Sequence, residues 1–176
     1  AVLGAVENMK AALGDSVRLK VDDRDEYSPG WKFNEWELRG VPLRIEVGPR
    51  DVAKEQVVLA RRNRPGRAGK SFVPLANLAS AVTDALTVIQ NELLQSATEF
   101  RDANTYQPTD YDSFKEAVAK GFALAWWCGE TACEDKVKEE TKATTRCIPF
   151  DQPGGTGQCI VCGGVAEEMA IFARAY

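Results

Sequence analysis

Ser28-Pro-Gly-Trp-Lys-Phe-Asn-Glu-Trp-Glu-Leu-Arg-Gly-Val-Pro-Leu-Arg-Ile-Glu-Val-Gly-Pro-Arg-Asp51 decides the fold of the first half of this 176-residue chain. Serine before Pro29 opens a helix: its hydroxyl can cap, and proline fits a first turn whose N–H groups have no helical partner. Gly40 stops that helix after Leu38. Pro42 forces extension, and Leu43, Ile45 and Val47 alternate with Arg44 and Glu46, the period of a half-buried strand. Gly48-Pro49 ends it. Glu37 and Arg44 therefore project from neighbouring elements beside Trp31 and Phe33, a combination suited to reading something flat and polar.

Outward from this stretch, Val2, Leu3, Val6, Met9 and Leu13 have helical spacing, with Gly14 as the stop. Val17, Leu19 and Val21 alternate with Arg18 and Lys20 and predict a strand. Asp22–Glu26 reads as a solvated acidic turn, since the glycine and terminal glutamate of a calcium loop are missing. Val57–Ala60 predicts a further strand, and Arg61–Ser71 a basic loop returning to Phe72-Val73-Pro74. Gly69-Lys70-Ser71 resembles the end of a phosphate-binding loop, but Arg64 stands where that motif needs glycine. An αβαβ order implies a mixed sheet with flanking helices. Leu78, Val82, Leu86, Ile89, Leu93, Ala97 and Phe100 mark one helix of about 25 residues linking two domains. A polar connector, 101–110, leads to a helix over 112–120, with Ser113 and Glu116 at capping-box spacing and Gly121 as its stop. Phe122–Trp127, Thr144–Phe150 and Met169–Tyr176 predict strands of a small α+β domain, and 151–158 a flexible loop.

Composition narrows the chemistry. Hydrophobic residues make up 44% and charged residues 27%, ordinary for a globular protein. No apolar run reaches the roughly 18 residues a membrane span requires. Histidine is absent, which excludes Ser/His and Cys/His catalysis within this chain. The net charge is −4, yet residues 39–70 hold nine Lys and Arg against three acids, a local +6 that leaves −10 elsewhere. A basic segment adjoining aromatics suits local contact with phosphate. Cys128-x4-Cys133 and Cys159-x2-Cys162-Gly163 form two pairs separated by 25 residues. Without histidine they would make a closed four-thiolate set, suited to structural zinc. Reduced core thiols without metal, iron–sulfur or redox pairs stay open on spacing alone. Cys147, beside Ile148 in a predicted apolar strand, reads as a buried free thiol.

Trp-Lys-Phe-x-x-Trp-Glu-Leu-x-Gly-Val-Pro-x-Arg-x-Glu-x-Gly-Pro-Arg-Asp resembles the anticodon-binding domain of prolyl-tRNA synthetases of the archaeal and eukaryotic-like type, and the likeness continues through the cysteines to the last residue. The resemblance implies an α/β anticodon-binding domain over residues 1–80 and a zinc-binding α+β domain over 81–176 that includes the linking helix. The family's first strand would precede Val2, so the first domain is expected to be N-terminally incomplete. It implies part of a class II ligase that joins proline to its tRNA, with ATP and magnesium used by a catalytic domain upstream. It puts Phe33, Glu37, Arg44, Asp51 and Lys70 at tRNA-contact positions and Cys128, Cys133, Cys159 and Cys162 at zinc positions. It further implies a cytoplasmic homodimer, no membrane partner, and a Tyr176 carboxylate packed back towards the catalytic domain. The alternative is a zinc-stabilised protein-interaction module without tRNA specificity.

Overall fold

The computed structural model describes residues 2–175, so the Tyr176 carboxylate lies outside the described residues. The chain forms two compact units, Ala1–Ser96 and Ala97–Tyr176. The division falls later than the 80/81 limit expected from sequence. The reason is that the first half of the long helix buries Val82 in the core of the first unit, with Ala81, Ala85 and Leu86 packed against it.

In the first unit, helix α1 (Val2–Leu13) and the start of helix α4 (Leu78–Ala103) cover one face of a sheet. Its strands, β1 (Leu43–Glu46), β2 (Gln56–Arg61) and β3 (Lys70–Pro74), pair antiparallel in that order. Alternation sorts their side chains. Leu43, Ile45, Val57, Leu59 and Val73 turn inward to Met9, Leu13, Leu78 and Val82. Arg44, Glu46, Val58, Ala60, Lys70 and Phe72 therefore share the outer face, in the cross-strand rows Arg44–Ala60–Lys70 and Glu46–Val58–Phe72. Helix α2 (Pro29–Leu38) starts as read: Ser28 Oγ accepts from Trp31 N–H at 3.4 Å. It stops at Gly40, whose φ of +84° suits the residue without a Cβ. A short helix, α3 (Pro49–Val52), follows β1.

The strand expected at Val17–Val21 does not form. Those residues form no regular element and have no ladder partner among the described residues. A groove of about 650 Å³, lined by residues of α1, segment 17–23, α2 and β1, lies alongside them. Alternation gave the segment two faces, but a strand also needs a neighbour at bonding distance.

In the second unit, β4 (Thr105–Tyr106), β5 (Phe122–Trp127), β9 (Glu168–Arg174) and β6 (Ala143–Cys147) form a sheet in that spatial order. Only β4–β5 is parallel. Helices α5 (Tyr111–Lys120) and α6 (Thr131–Thr141) supply Phe114, Ala117, Val118 and Val137 to its core. Phe114 and Phe172, both fully buried, meet edge to face with centroids 5.2 Å apart. A two-stranded ribbon, β7 (Gly157–Gln158) with β8 (Val165–Ala166), closes the loop that carries Cys159 and Cys162.

Two further readings are corrected. Helix α5 begins earlier than expected: Asp110 caps it, accepting from Ser113 N–H at 2.8 Å, while Ser113 Oγ takes the Asp110 N–H. Ser113 is therefore the third helical residue, and Glu116 instead pairs with Lys120. Cys147 is exposed at the end of β6, because the chain leaves the sheet there and Ile148 and Phe150 are exposed as well. Among the described residues no helix is long and apolar enough to cross a membrane.

Candidate nucleic-acid interface and metal centre

Four of the five residues that the resemblance puts at tRNA-contact positions come together on the outer face of the first sheet. Phe33 and Glu37 are one helical turn apart on α2 and so share a face. Arg44, outward on β1, lies over the Phe33 ring at 4.0 Å from its centroid. Its Nη1 donates to Glu37 Oε1 at 2.6 Å, and its Nε and Nη2 donate to Glu46 Oε1 at 3.1 and 2.9 Å. Lys70 Nζ donates to the other oxygen of Glu46 at 2.7 Å. The result is a line of alternating charge, Glu37, Arg44, Glu46, Lys70, across three elements. Glu46 is missing from the sequence-derived set, although its place two residues from Arg44 on one strand already put it on the same face.

Asp51 does not join this line. As the third residue of α3 its carboxylate accepts from Gly48 N–H at 3.0 Å and from Gln56 Nε2 at 3.5 Å. It caps the short helix that follows the end of β1.

Helix α2 is held at its base by the acidic segment that read as a solvated turn. Asp22 accepts from Trp36 Nε1 at 2.8 Å and from Arg24 Nε and Nη2 at 2.8 and 2.7 Å. Arg24 also donates to Glu35 at 2.5 Å. The Arg24 hydrogen bonds hold the Asp22 carboxyl far below the usual carboxylate range, against the partial burial that would raise it. Tyr27 and Trp31 stack at 3.9 Å beside the Arg24 guanidinium.

The basic loop after β2 is closed rather than loose. Glu92, on α4, accepts from Arg61 Nη2, from Asn63 Nδ2 at 2.7 Å, and from Arg64 Nε and Nη2 at 3.2 and 2.9 Å. Arg64 hydrogen bonding is the main reason the Glu92 carboxyl sits below its ordinary value; burial opposes it, and Asn63 and the Arg61 charge assist. Arg62 and Arg67 stay exposed, and Arg62 borders a small recess with Trp36, Glu37 and Arg44.

The four paired cysteines converge in the second unit. Cys128 follows β5, Cys133 sits in the first turn of α6, and Cys159 and Cys162 lie between β7 and β8. Their four sulfurs lie within 4.8 Å of one another, with Cys128–Cys133 at 3.6 Å and Cys128–Cys162 at 3.9 Å. Zinc–sulfur bonds of about 2.3 Å place tetrahedral sulfurs about 3.8 Å apart, so the donor set has the size for that ion. Gly129 and Gly163, with φ of +82° and +71°, let the two loops turn back on themselves. Gly164 N–H points at Cys162 Sγ, 3.4 Å away. Burial opposes ionisation of Cys159, but backbone hydrogen bonds from Cys162 and Val161 outweigh it and hold this thiol down to about 7. Burial pushes the Cys133 thiol up. Cys147 stands outside the cluster.

Residues 3–85 match the family described as an anticodon binding domain, and residues 111–176 the one described as prolyl-tRNA synthetase, C-terminal. Among similar proteins, the proline–tRNA ligase of Chloroflexus aurantiacus is 57% identical over 175 residues, 99% of this chain and 36% of that protein. That of Chloroflexus aggregans is 56% identical over 176 residues, 100% of this chain and 37% of the relative. The chloroplastic/mitochondrial proline–tRNA ligase of Arabidopsis thaliana is 47% identical over 180 residues, 99% of this chain and 33% of the relative. The chain thus spans about a third of the length of the curated relatives it matches.

Proposed function

We propose that this chain belongs to the prolyl-tRNA synthetase family and is the part of a proline–tRNA ligase that selects proline tRNA by its anticodon. In this reading a class II core elsewhere in the protein uses ATP and magnesium to attach proline, and the whole enzyme is a cytoplasmic homodimer. The observation that carries the anticodon reading is the line Glu37–Arg44–Glu46–Lys70 over Phe33.

Proline anticodons share two guanines, presented unstacked in a single-stranded loop where base edges can be reached. An ionised carboxylate complements the N1–H and N2–H donors of guanine, and an arginine fork complements O6 and N7. Glu37 and Arg44 supply one of each. Their mutual contact in the free chain is an ion pair open to solvent on the Glu37 side, worth about 1 kcal/mol, so a base that satisfies both groups can replace it. Phe33 underlies the guanidinium and can carry a stacked ring. Lys70 adds a positive charge for phosphate, and Asp51 fixes the turn after β1 at the edge of the same site.

Cys128, Cys133, Cys159 and Cys162 would hold a structural zinc ion, whose closed thiolate shell leaves no position for a substrate. In a small, loop-rich unit that metal would contribute folding free energy.

The test is binding of the chain to a proline tRNA transcript and to transcripts with either guanine changed. Arg44→Ala should cost roughly 1–3 kcal/mol on the cognate transcript and blunt discrimination. Lys70→Ala should weaken all transcripts alike and flatten the salt dependence. Should Arg44→Ala and Glu37→Ala discriminate as the parent does, the base reading lies elsewhere.

A further inference from the structure

Phe72 stands out on the outer face of the first sheet. It is 69% exposed on β3, in a row with Val58 and Glu46 and two residues from Lys70. Every other side chain of the two outward rows is tied down. Arg44, Glu46 and Lys70 are bonded to one another, and Val58 and Ala60 are buried. Lone exposed apolar residues are ordinary. This one is an open aromatic ring bordering a line of charges, the composition of sheet surfaces on which single-stranded bases stack. Strand spacing of about 4.8 Å and a rise of about 3.4 Å per residue put its Cα roughly 12 Å from that of Arg44. That separation leaves room for a neighbouring base beside the one facing Arg44.

Resting on the anticodon reading above, we propose that Phe72 is a second stacking position, which receives a loop base other than the one facing Arg44. Its ring offers a π-face to any base, so it adds affinity without choosing among sequences. Lys70, at the next outward position on the strand, is placed for the phosphate of that same nucleotide. The outer face thereby divides its work: α2 and β1 read base edges, and β3 holds the neighbouring part of the loop.

A structural role would be to cover Val58, and leucine would do that equally well. Phe72→Leu, Phe72→Trp and Arg44→Ala are therefore compared in this chain, by binding to a proline tRNA transcript and by thermal melting. Loss of one base–aromatic stack is worth about a 5- to 150-fold weakening. Phe72→Leu should show that loss on cognate and guanine-changed transcripts alike, with an unchanged melting temperature. Phe72→Trp should bind at least as tightly as the parent. If Arg44→Ala loses binding while Phe72→Leu does not, the stacking position is refuted and the anticodon reading stands. If neither variant loses binding, both are refuted. Loss in Phe72→Leu accompanied by a lower melting temperature and no recovery in Phe72→Trp would assign the residue to the fold and overturn the proposal.

Discussion

Replacing Gly69 by alanine should open the basic loop, because the added carbon has nowhere to go. Gly69 is buried at the end of the β2–β3 connection. A Cβ there would lie 1.8 Å from the Arg64 carbonyl oxygen and 3.0 Å from that of Arg61. Side-chain carbons essentially never approach other atoms closer than 3.0 Å, so the Arg64 carbonyl must retreat by at least 1.2 Å. The obstacle is backbone and cannot rotate away. The same peptide region is tied to Arg61 by Arg64 N–H at 3.3 Å and to Glu92 through the Arg64 side chain. A retreat of that size takes these bonds past any useful length. Overpacking of this kind costs about 1–3 kcal/mol, and the lost backbone hydrogen bond about 1 kcal/mol more. Taking about 2 kcal/mol as the lower end, the first unit should melt at least ~8 °C lower. Gly4→Ala is the matched control: it lies inside α1 with nothing within 4 Å of the added carbon, so it should be neutral or slightly stabilising. Calorimetry of the two variants decides the matter. A Gly69→Ala protein melting within a degree of the parent would refute the closed loop and the reasoning built on it.

Two other outcomes follow from the side-chain geometry. Elemental analysis should find about one zinc per chain; Cys159→Ser should lose it and Cys147→Ser should keep it, and loss from both would show the ligand assignment to be wrong. Glu92 has its folded carboxyl below its ordinary value of 4.5, so the unfolded chain binds its proton more readily. The stability it gives the loop is therefore complete above about pH 4.5 and lost as pH falls through the lower folded value. Melting curves of the parent and Glu92→Gln should separate near neutrality and converge in acid; an equal gap at pH 3 and pH 7 would show that the clamp does not depend on the charge.

Much of the first unit was legible because its signals are local. Ser28-Pro29, Gly40 and the alternation through Leu43–Val47 each act over a few residues, and each produced the element it implied. The apolar run from Leu78 likewise gave α4. What escaped depends on partners. Val17–Val21 had the right alternation and no neighbouring strand. Helix α6 carries Cys133, Val137 and Thr141 four residues apart on its buried face, too thin a stripe to stand out among its charges. Glu92 escaped because its partners lie 28–31 residues away, where no periodicity reaches. In the site, residue types were readable from the motif, but their satisfaction was not: Asp51 is occupied as a cap, and Glu46 enters as the acid between the two cations.

That central acid bears on how selection would work. Glu46 uses one carboxylate oxygen for Arg44 and the other for Lys70, so each cation retains a partner before any RNA arrives. The four-residue line carries two positive and two negative charges, and a bare phosphate gains little at Arg44, because taking that cation would leave Glu37 facing an anion. Guanine differs, because it offers acceptors to Arg44 and donors to Glu37 at once. Adenine lacks an N1–H donor, and in its place Glu37 would meet a lone pair. A carboxylate left unpaired on binding costs more than the hydrogen bond it fails to make. Under the anticodon reading, the free-state pairing would set a threshold that a guanine crosses and an adenine does not. Selectivity would reside in the exchange of partners, with Glu46 keeping Arg44 aimed while its other partner changes.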